Sequence, residues 1–270
     1  MKHDYYNAAI EIAKEAGDIL KKMSLENIVV TEKGSAFDFV TNADNASQSY
    51  IKERLQHYFP THYFVGEEDG KTDKDVAAFL KNISKDEYCW ICDPLDGTMN
   101  YIRHYLGYAV SLACYHAGEI IVGVTYTPVE NELFAAELGN GATCNGFPIH
   151  VSEVDKLTHA ITTTGIPPTN MDWRNTCFPS LNRVAFNTLN LRIIGCATRC
   201  IAYVAAGRFE SYWEVGPHPW DVAAGSLLVR EAGGNICTLT GEAYSFGEPR
   251  FMATNGKIDQ SLIKAINWPD

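Results

Sequence analysis

The chain has 270 residues, 46% hydrophobic and 20% charged, with a formal net charge of −11, a composition that suits one large globular domain or two small ones. Its apolar stretches run to only a few residues, short of the roughly 20 that cross a bilayer, so no membrane partner is expected. Net acidity also argues against extended nucleic-acid binding, which relies on many Lys and Arg contacts to phosphate; it leaves room for a small anion held beside metal ions, which invert the field of an acidic site.

Met1-Lys-His-Asp-Tyr5 leads into a charged amphipathic segment rather than an apolar signal core, and the expected location is the cytoplasm. Over residues 4–23 apolar side chains recur at helical spacing (Ala9, Ile12, Ala13, Ala16, Ile19, Leu20, Met23), which predicts a surface helix. Ile28 to Val30 reads as a strand. A second helix is expected from about Asn45 to Tyr58, capped by Asn42 or Asp44 and stopped before Pro60. Short strands follow at His62–Val65 and Tyr88–Cys92. Tyr108–Tyr115, Glu119–Tyr126 and Glu132–Ala136, parted by turn residues, predict an antiparallel meander, and 139–146 a further hairpin.

The last third alternates. Strands are expected at Arg192–Ile194, Phe209–Trp213, Asn235–Thr238 and Phe251–Thr254. Helices are expected at Ala197–Ala206, closed by Gly207, and at Val222–Ala232, ended by Gly233-Gly234. With no internal repeat or linker, one compact α+β unit over residues 1–270 is the simplest reading.

Eight cysteines are scattered along the chain. Cys89 and Cys92 have C-x-x-C spacing, but an offset of three on a strand sends two side chains to opposite faces, so they cannot clamp one ion. Cys196 and Cys200 lack a second Cys/His pair. All eight read as reduced thiols filling space.

The chemistry concentrates at Asp93-Pro-Leu-Asp-Gly-Thr-Met-Asn100. Two carboxylates three positions apart around a forced turn repel each other unless a cation lies between them. Gly97 and Thr98 can turn backbone N–H groups to an anion, and the Thr98 hydroxyl can orient a water. A haloacid-dehalogenase type of aspartyl nucleophile needs D-x-D-x-T; Pro94 and Leu95 stand where that spacing needs its second Asp, which rules it out. Three further acidic spots could converge here: Glu67-Glu68 after a short strand, Asp44 at a helix start, and Asp221 before an apolar helix. Taken singly, each also suits a solvated loop or a helix cap.

Together these residues resemble the inositol monophosphatases, within the wider lithium-sensitive, magnesium-dependent phosphatases. The resemblance rests on Gly66-Glu-Glu68, Asp93-Pro-Leu-Asp-Gly-Thr98 with Asn100, and Trp220-Asp221 leading to Glu231-Ala-Gly-Gly234. Lys33 before Asp38-x-Val-Thr-x-Ala-Asp44, the Gly141-Ala-x-x-Asn-Gly146 turn and Gly195 support it, from about residue 9 to 256 in the family's order. It implies an α+β fold, the layered α/β/α/β/α sandwich of the inositol monophosphatase and fructose-bisphosphatase type. It implies two or three Mg²⁺: Glu67, Asp93 and the Leu95 carbonyl for the first, Asp93, Asp96 and Asp221 for the second. Glu68 would support the cluster, and Thr98, oriented by Asp44, would position the attacking water. Around the substrate it places Asp96, Gly97, Thr98, Asp221, Gly195, Ala197 and Glu214, the last binding ring hydroxyls.

The implied reaction is hydrolysis of a small polyol phosphate, inositol monophosphate first, by metal-activated water without a phosphoenzyme. Fructose-1,6-bisphosphatase, histidinol phosphatase, nucleotide 3′-phosphatase and a catalytically silent regulator are the alternatives. Family members usually form homodimers, and some bacterial relatives carry an RNA- or polymerase-associated role. Cys196 departs from the family's usual Thr or Ser, and Arg199 reads either as an exposed helix residue or as a contact for a second anionic group.

Overall fold

The computed structural model describes residues 4–26, 28–33, 39–167 and 170–269. Helix α1 (Tyr5–Met23) is capped by the Asp4 carboxylate, which accepts the Asn7 N–H at 3.1 Å. The strands β1 (Val30–Glu32) and β2 (Phe39–Thr41) form an antiparallel ribbon leading into α2 (Asn42–Tyr58). Next come β3 (Tyr63–Gly66), a 3-10 turn at Glu67–Asp69, α3 (Asp73–Asn82), β4 (Tyr88–Asp96) and α4 (Thr98–Ile102). The meander is β5 (Ala109–His116), β6 (Glu119–Thr127) and β7 (Glu132–Glu137), followed by the hairpin β8 (Ala142–Cys144) and β9 (Phe147–Ile149). Strands β3 to β9 make one seven-stranded sheet in sequence order, parallel between β3 and β4 and antiparallel from there on.

The second half supplies β10 (Ile161–Thr164), α5 (Met171–Asn187), β11 (Asn190–Arg192), α6 (Ala197–Ala205), β12 (Ser211–Val215), α7 (Pro219–Glu231), β13 (Asn235–Cys237), β14 (Arg250–Thr254) and α8 (Asp259–Ile266). Its five strands run in the order β11-β10-β12-β14-β13, with β14 antiparallel to both neighbours.

Burial explains the stacking. One face of the large sheet, through Trp90, Cys92, Leu112 and Val124, packs on Ile12 and Leu20 of α1 and Ile51 and Leu55 of α2. Its other face, through Cys89, Ile91 and Phe134, packs on α6 and α7, whose far sides meet Tyr212 and Phe251 of the small sheet. Trp213 and Met252, one residue on, face the opposite way onto α5 and α8. The layers are therefore α1/α2, large sheet, α6/α7, small sheet, α5/α8. Lying between two sheets, α7 buries ten of its 13 residues and has no polar face. It approaches β6 so closely that a Cβ on Gly123 would stand 2.6 Å from the Ala224 carbonyl oxygen.

The opposite orientation of Cys89 and Cys92 is as the strand spacing predicts, and all eight cysteines are free thiols. Several boundaries differ from expectation. The strand expected at Ile28–Val30 starts at Val30, the one expected at Arg192–Ile194 is Asn190–Arg192, and Phe209–Trp213 shifts to Ser211–Val215. The cap of α2 is Thr41, not Asn42 or Asp44: its hydroxyl accepts from Ala43 N and Asp44 N while the Asp44 carboxylate reaches back to Thr41 N. Helix α7 starts at Pro219, so Asp221 is its third residue rather than its cap. Four helices, α3, α4, α5 and α8, have no counterpart in the sequence expectation. Asp38 lies outside the described residues.

Candidate active site

Strand β4 runs through the Asp93–Asp96 segment instead of ending at Cys92. Asp93 pairs with Ser111 and Asp96 with Ala109, so β4 carries one residue more than β5 over this stretch. Such a bulge restores parity: on a regular strand an offset of three would send Asp93 and Asp96 to opposite faces. Pro94, which has no N–H for the ladder, sits in the bulge, where none is needed. The Leu95 N–H donates to Asp93 Oδ1 at 3.0 Å. Gly97 then turns the chain at φ +88°, and a Cβ there would meet the Gly107 carbonyl oxygen at 3.0 Å. Helix α4 begins at Thr98, whose Oγ1 lies 3.1 Å from the Leu95 carbonyl oxygen and 3.3 Å from Asp44 Oδ1.

Asp44 is wholly buried, and its other oxygen takes the Thr41 backbone N–H at 2.8 Å. Burial pushes its carboxyl up to about 6 against those hydrogen bonds. Glu67 and Glu68 leave the end of β3 in the 3-10 turn. Gly66 is required there, since a Cβ would stand 2.1 Å from Gln48 Oε1, the atom that accepts the Glu68 N–H at 3.0 Å. The Lys33 ammonium bridges the two acids, 2.9 Å from Glu67 and 2.5 Å from Glu68. Glu68 is pushed up to about 7, by burial first and the Glu67 charge second.

From the other side, α7 brings Asp221, whose Oδ2 accepts the His218 N–H at 2.7 Å. The His218 ring stacks on Trp220 and lies 2.7 Å from Asp73 on α3. Burial works to lower this imidazole, but the hydrogen bond to Asp73 and the Asp221, Asp73 and Glu67 charges outweigh it and raise it to about 9. Asp96 Oδ2 accepts from Thr198 N at 2.6 Å, Thr198 Oγ1 at 2.7 Å and Cys196 Sγ at 3.2 Å, which ties β4 to the start of α6. Cys196 thus fills the place of a hydroxyl donor with a weaker S–H.

Four carboxylates from three elements, the 3-10 turn, β4 and α7, share one electrostatic environment. Asp93, 2% exposed, is held well above the ordinary carboxylate range by burial and then by the Glu67, Asp96 and Asp221 charges. Asp221 is raised by burial and by Asp96 and Glu67, with His218 opposing. Asp96 is raised by burial against the Thr198 hydrogen bonds. Among the described residues, no three acid, His or Cys side chains close to the spacing of a ready-made metal cage. Each carboxylate instead turns to a protein donor: Lys33, Thr198, His218 N or Leu95 N.

The small sheet and its loops complete the cleft. Gly195, at φ +75°, and Ala197 lie at the entry to α6. Asn100 Nδ2 donates to the carbonyls of Gly107, Ile194 and Gly195 at 2.9, 3.0 and 3.3 Å, clamping that loop to the β4 turn. Glu214 on β12 accepts the Tyr212 hydroxyl and lies where a Cβ on Gly165 would be. Burial pushes it up to about 7, with the Tyr212 hydrogen bond opposing. Arg199 is neither an exposed helix residue nor free for a second anion: it is half-buried, 2.6 Å from Glu130, and lies over the Tyr203 ring.

His218, Asp73 and Thr198 are contributors that sequence reasoning did not place. Their contacts join residues up to 145 positions apart, for which a single sequence carries no signal. Thr41-x-x-Asp44, by contrast, is a readable capping box.

The family model for the inositol monophosphatase family matches residues 1–268. The chain is 37% identical over 266 residues to Nus factor SuhB of Escherichia coli strain K12, covering 97% of this chain and 95% of that protein. It is 36% identical to inositol monophosphatase 2 of Solanum lycopersicum, covering 98% of each. The IMPase structure from Thermotoga maritima superposes with a TM-score of 0.85 at 30% identity, over 98% of this chain and 97% of that one. The structure of an IMPase/NADP phosphatase complexed with Mg²⁺ and phosphate gives 0.80 at 26% identity, over 95% and 92%. By its layered fold and its full-length match, the chain belongs to the inositol monophosphatase family.

Proposed function

We propose that the protein is a magnesium-dependent phosphomonoesterase acting on the phosphate ester of a small polyol, with inositol monophosphate the leading substrate. The observation that carries this reading is the convergence of Glu67, Asp93, Asp96 and Asp221, each of the three aspartates raised in pKa by burial and by the others' charges. An all-oxygen, mutually repulsive donor set is what a hard divalent cation relieves. Glu67, Asp93 and the Leu95 carbonyl would hold one Mg²⁺, and Asp93, Asp96 and Asp221 another, with Glu67 able to share a third and Glu68 in support.

Magnesium bound there supplies the positive charge that activates a water and offsets charge on the departing alkoxide oxygen. The residues do the positioning. Thr98 Oγ1, whose own hydrogen goes to Asp44 or the Leu95 carbonyl, accepts a hydrogen bond from the attacking water and turns the water's lone pair toward phosphorus. Gly97 and Thr98 N–H groups hold non-bridging phosphate oxygens, which leaves the face opposite the departing ester oxygen to the water. Water's oxygen forms the new P–O bond, the ester P–O bond breaks in line, and polyol and inorganic phosphate result. Glu214, with Gly195 and Ala197 beside it, receives the polyol hydroxyls.

The test is phosphate release from inositol monophosphates, fructose 1,6-bisphosphate, histidinol phosphate and adenosine 3′,5′-bisphosphate, with Mg²⁺ and with EDTA. Preference for another ester would reassign the pocket, and silence on every ester would reject the enzyme reading. A second reading, a Nus-factor role, is favoured by the SuhB relatives and makes RNA or a protein partner the alternative; RNA retention on the purified chain tests it. We further propose a cytoplasmic homodimer of single-domain chains. Exposed Tyr105, Leu106, Phe186, Leu189 and Ile193 are apolar surface that a second copy could cover, and sedimentation equilibrium decides it. Among the described residues, no helix is long and apolar enough to cross a membrane.

A further inference from the structure

A cavity of about 610 Å³ opens between the C-terminal end of α3, the β5–β6 turn, the second half of α7 and the loop at 244–246. None of its lining residues belongs to the acidic cluster. Its volume lies within the roughly 300–1,000 Å³ of small-molecule sites.

The lining combines three features. Tyr115, Tyr244 and Phe246 form an aromatic wall, with Phe246 edge-on to both tyrosines. Lys81 and Arg230 stand on the rim, and among the described residues neither side chain has a hydrogen bond or an ion pair. Ser226, 6% exposed, lines the cavity from α7, and its hydroxyl has no hydrogen-bond partner. A buried hydroxyl left unpartnered is destabilising, so this one is an open donor. Glu119 is the only acid in the lining, which leaves a net charge of +1 from two cations and one anion. In a chain of net charge −11 this is a local reversal of sign.

We infer that this cavity is a second ligand site, for a planar aromatic monocarboxylate. The ring system would lie against Tyr115, Tyr244 and Phe246. The carboxylate would be met by Arg230 and Lys81, a charge-assisted contact of the kind guanidinium groups make well. The Ser226 hydroxyl would donate to a carboxylate or ring substituent oxygen. Glu119 repels a second negative charge, so a monoanion fits better than a dianion. Arg230 lies nine positions beyond Asp221 on the same helix, about 13.5 Å along its axis, so both sites can be occupied at once.

The experiment is calorimetric titration of the full chain with 2-naphthoate, against 2-naphthamide as neutral control and 2,6-naphthalenedicarboxylate as dianion. Saturable one-to-one binding of 2-naphthoate is expected, unchanged by Mg²⁺ with inorganic phosphate. The amide, the dianion and the Lys81→Gln/Arg230→Gln double variant should each bind at least about tenfold more weakly, equivalent to about 1.4 kcal/mol. Both substitutions are at the surface, and circular dichroism checks that the variant folds. Absence of saturation into the millimolar range would overturn the proposal. So would equal binding of the amide or the double variant, or displacement by phosphate, which would assign the ligand to the acidic cluster.

Discussion

Glu214 is a carboxylate that the fold would be more stable without. Its folded pKa of about 7 lies above its ordinary 4.5 because burial disfavours the charged form. The folded state therefore binds more protons than the unfolded state between these values, and stability falls as pH rises from 4.5 through 7. The difference of about 2.5 units, at 1.36 kcal/mol each, sets an upper bound of about 3 kcal/mol on the penalty at alkaline pH. In Glu214→Gln the amide oxygen can still accept from Tyr212, so the hydrogen bond survives while the buried charge goes. For 270 residues at about 2.1 cal/mol/K each, the unfolding entropy is about 0.57 kcal/mol/K, which converts that bound to roughly 5 °C. Scanning calorimetry in EDTA should show the variant melting with wild type near pH 4.5 and progressively above it toward pH 8. Phosphate-release kinetics on the same protein should show a raised KM for the polyol ester, with Mg²⁺ binding retained. A difference in Tm that is flat with pH, or a variant less stable than wild type at pH 8, would refute the buried-charge argument. Loss of Mg²⁺ binding with unchanged KM would refute the division between cluster and pocket.

Asp93→Asn should abolish phosphate release and also remove the rise in Tm expected of wild type on adding Mg²⁺; near-normal turnover would reject the carboxylate cluster as the metal site. Gly123→Ala drives a methyl to 2.6 Å from the Ala224 backbone oxygen, which cannot swing aside. The expected loss is about 1–3 kcal/mol, read from the urea midpoint at constant m-value. Glu242 is held down at about 2, mainly by the Thr238 and Thr240 hydroxyls. Its contribution is full above 4.5 and lost as pH falls toward 2, so Glu242→Gln should lower Tm at pH 6 and converge with wild type near pH 2. An equal deficit at both pH values would exclude that linkage.

The strand meander was legible because β5, β6 and β7 are near-continuous apolar runs, buried on both faces and parted by turn residues. Helix α5 was not: Pro179 stands inside it and eight of its 17 residues are polar. Strand β10 hides behind three consecutive threonines, all buried; Thr163 and Thr164 reach that state by donating their hydroxyls to the carbonyls of Ser211 and Trp213. Threonine in a run gives no apolar pattern, so only pairing with β12 reveals the strand. The carboxylates of the site were readable from motif spacing. What aligns them was not. The bulge at Pro94 is a property of register against β5, and the Asp96–Thr198 and His218–Asp73 contacts exist only after the two sheets have closed on α6 and α7.

The five-layer order also divides the molecule in its capacity to diverge. Asp93, Asp96, Glu67 and Asp44 are set by the large sheet and its outer helices, whereas Glu214, Gly195 and Ala197 belong to the small sheet and the loop that enters α6. A drift in the length or composition of the second half can therefore reshape what the cleft admits while the bulge in β4 keeps its register. At the acidic cluster the two halves are joined by Thr198 on Asp96, Asn100 on the 194–195 carbonyls, and Asp221 at the head of α7. A chain that keeps those few contacts can change what the cleft admits without rebuilding the acidic cluster.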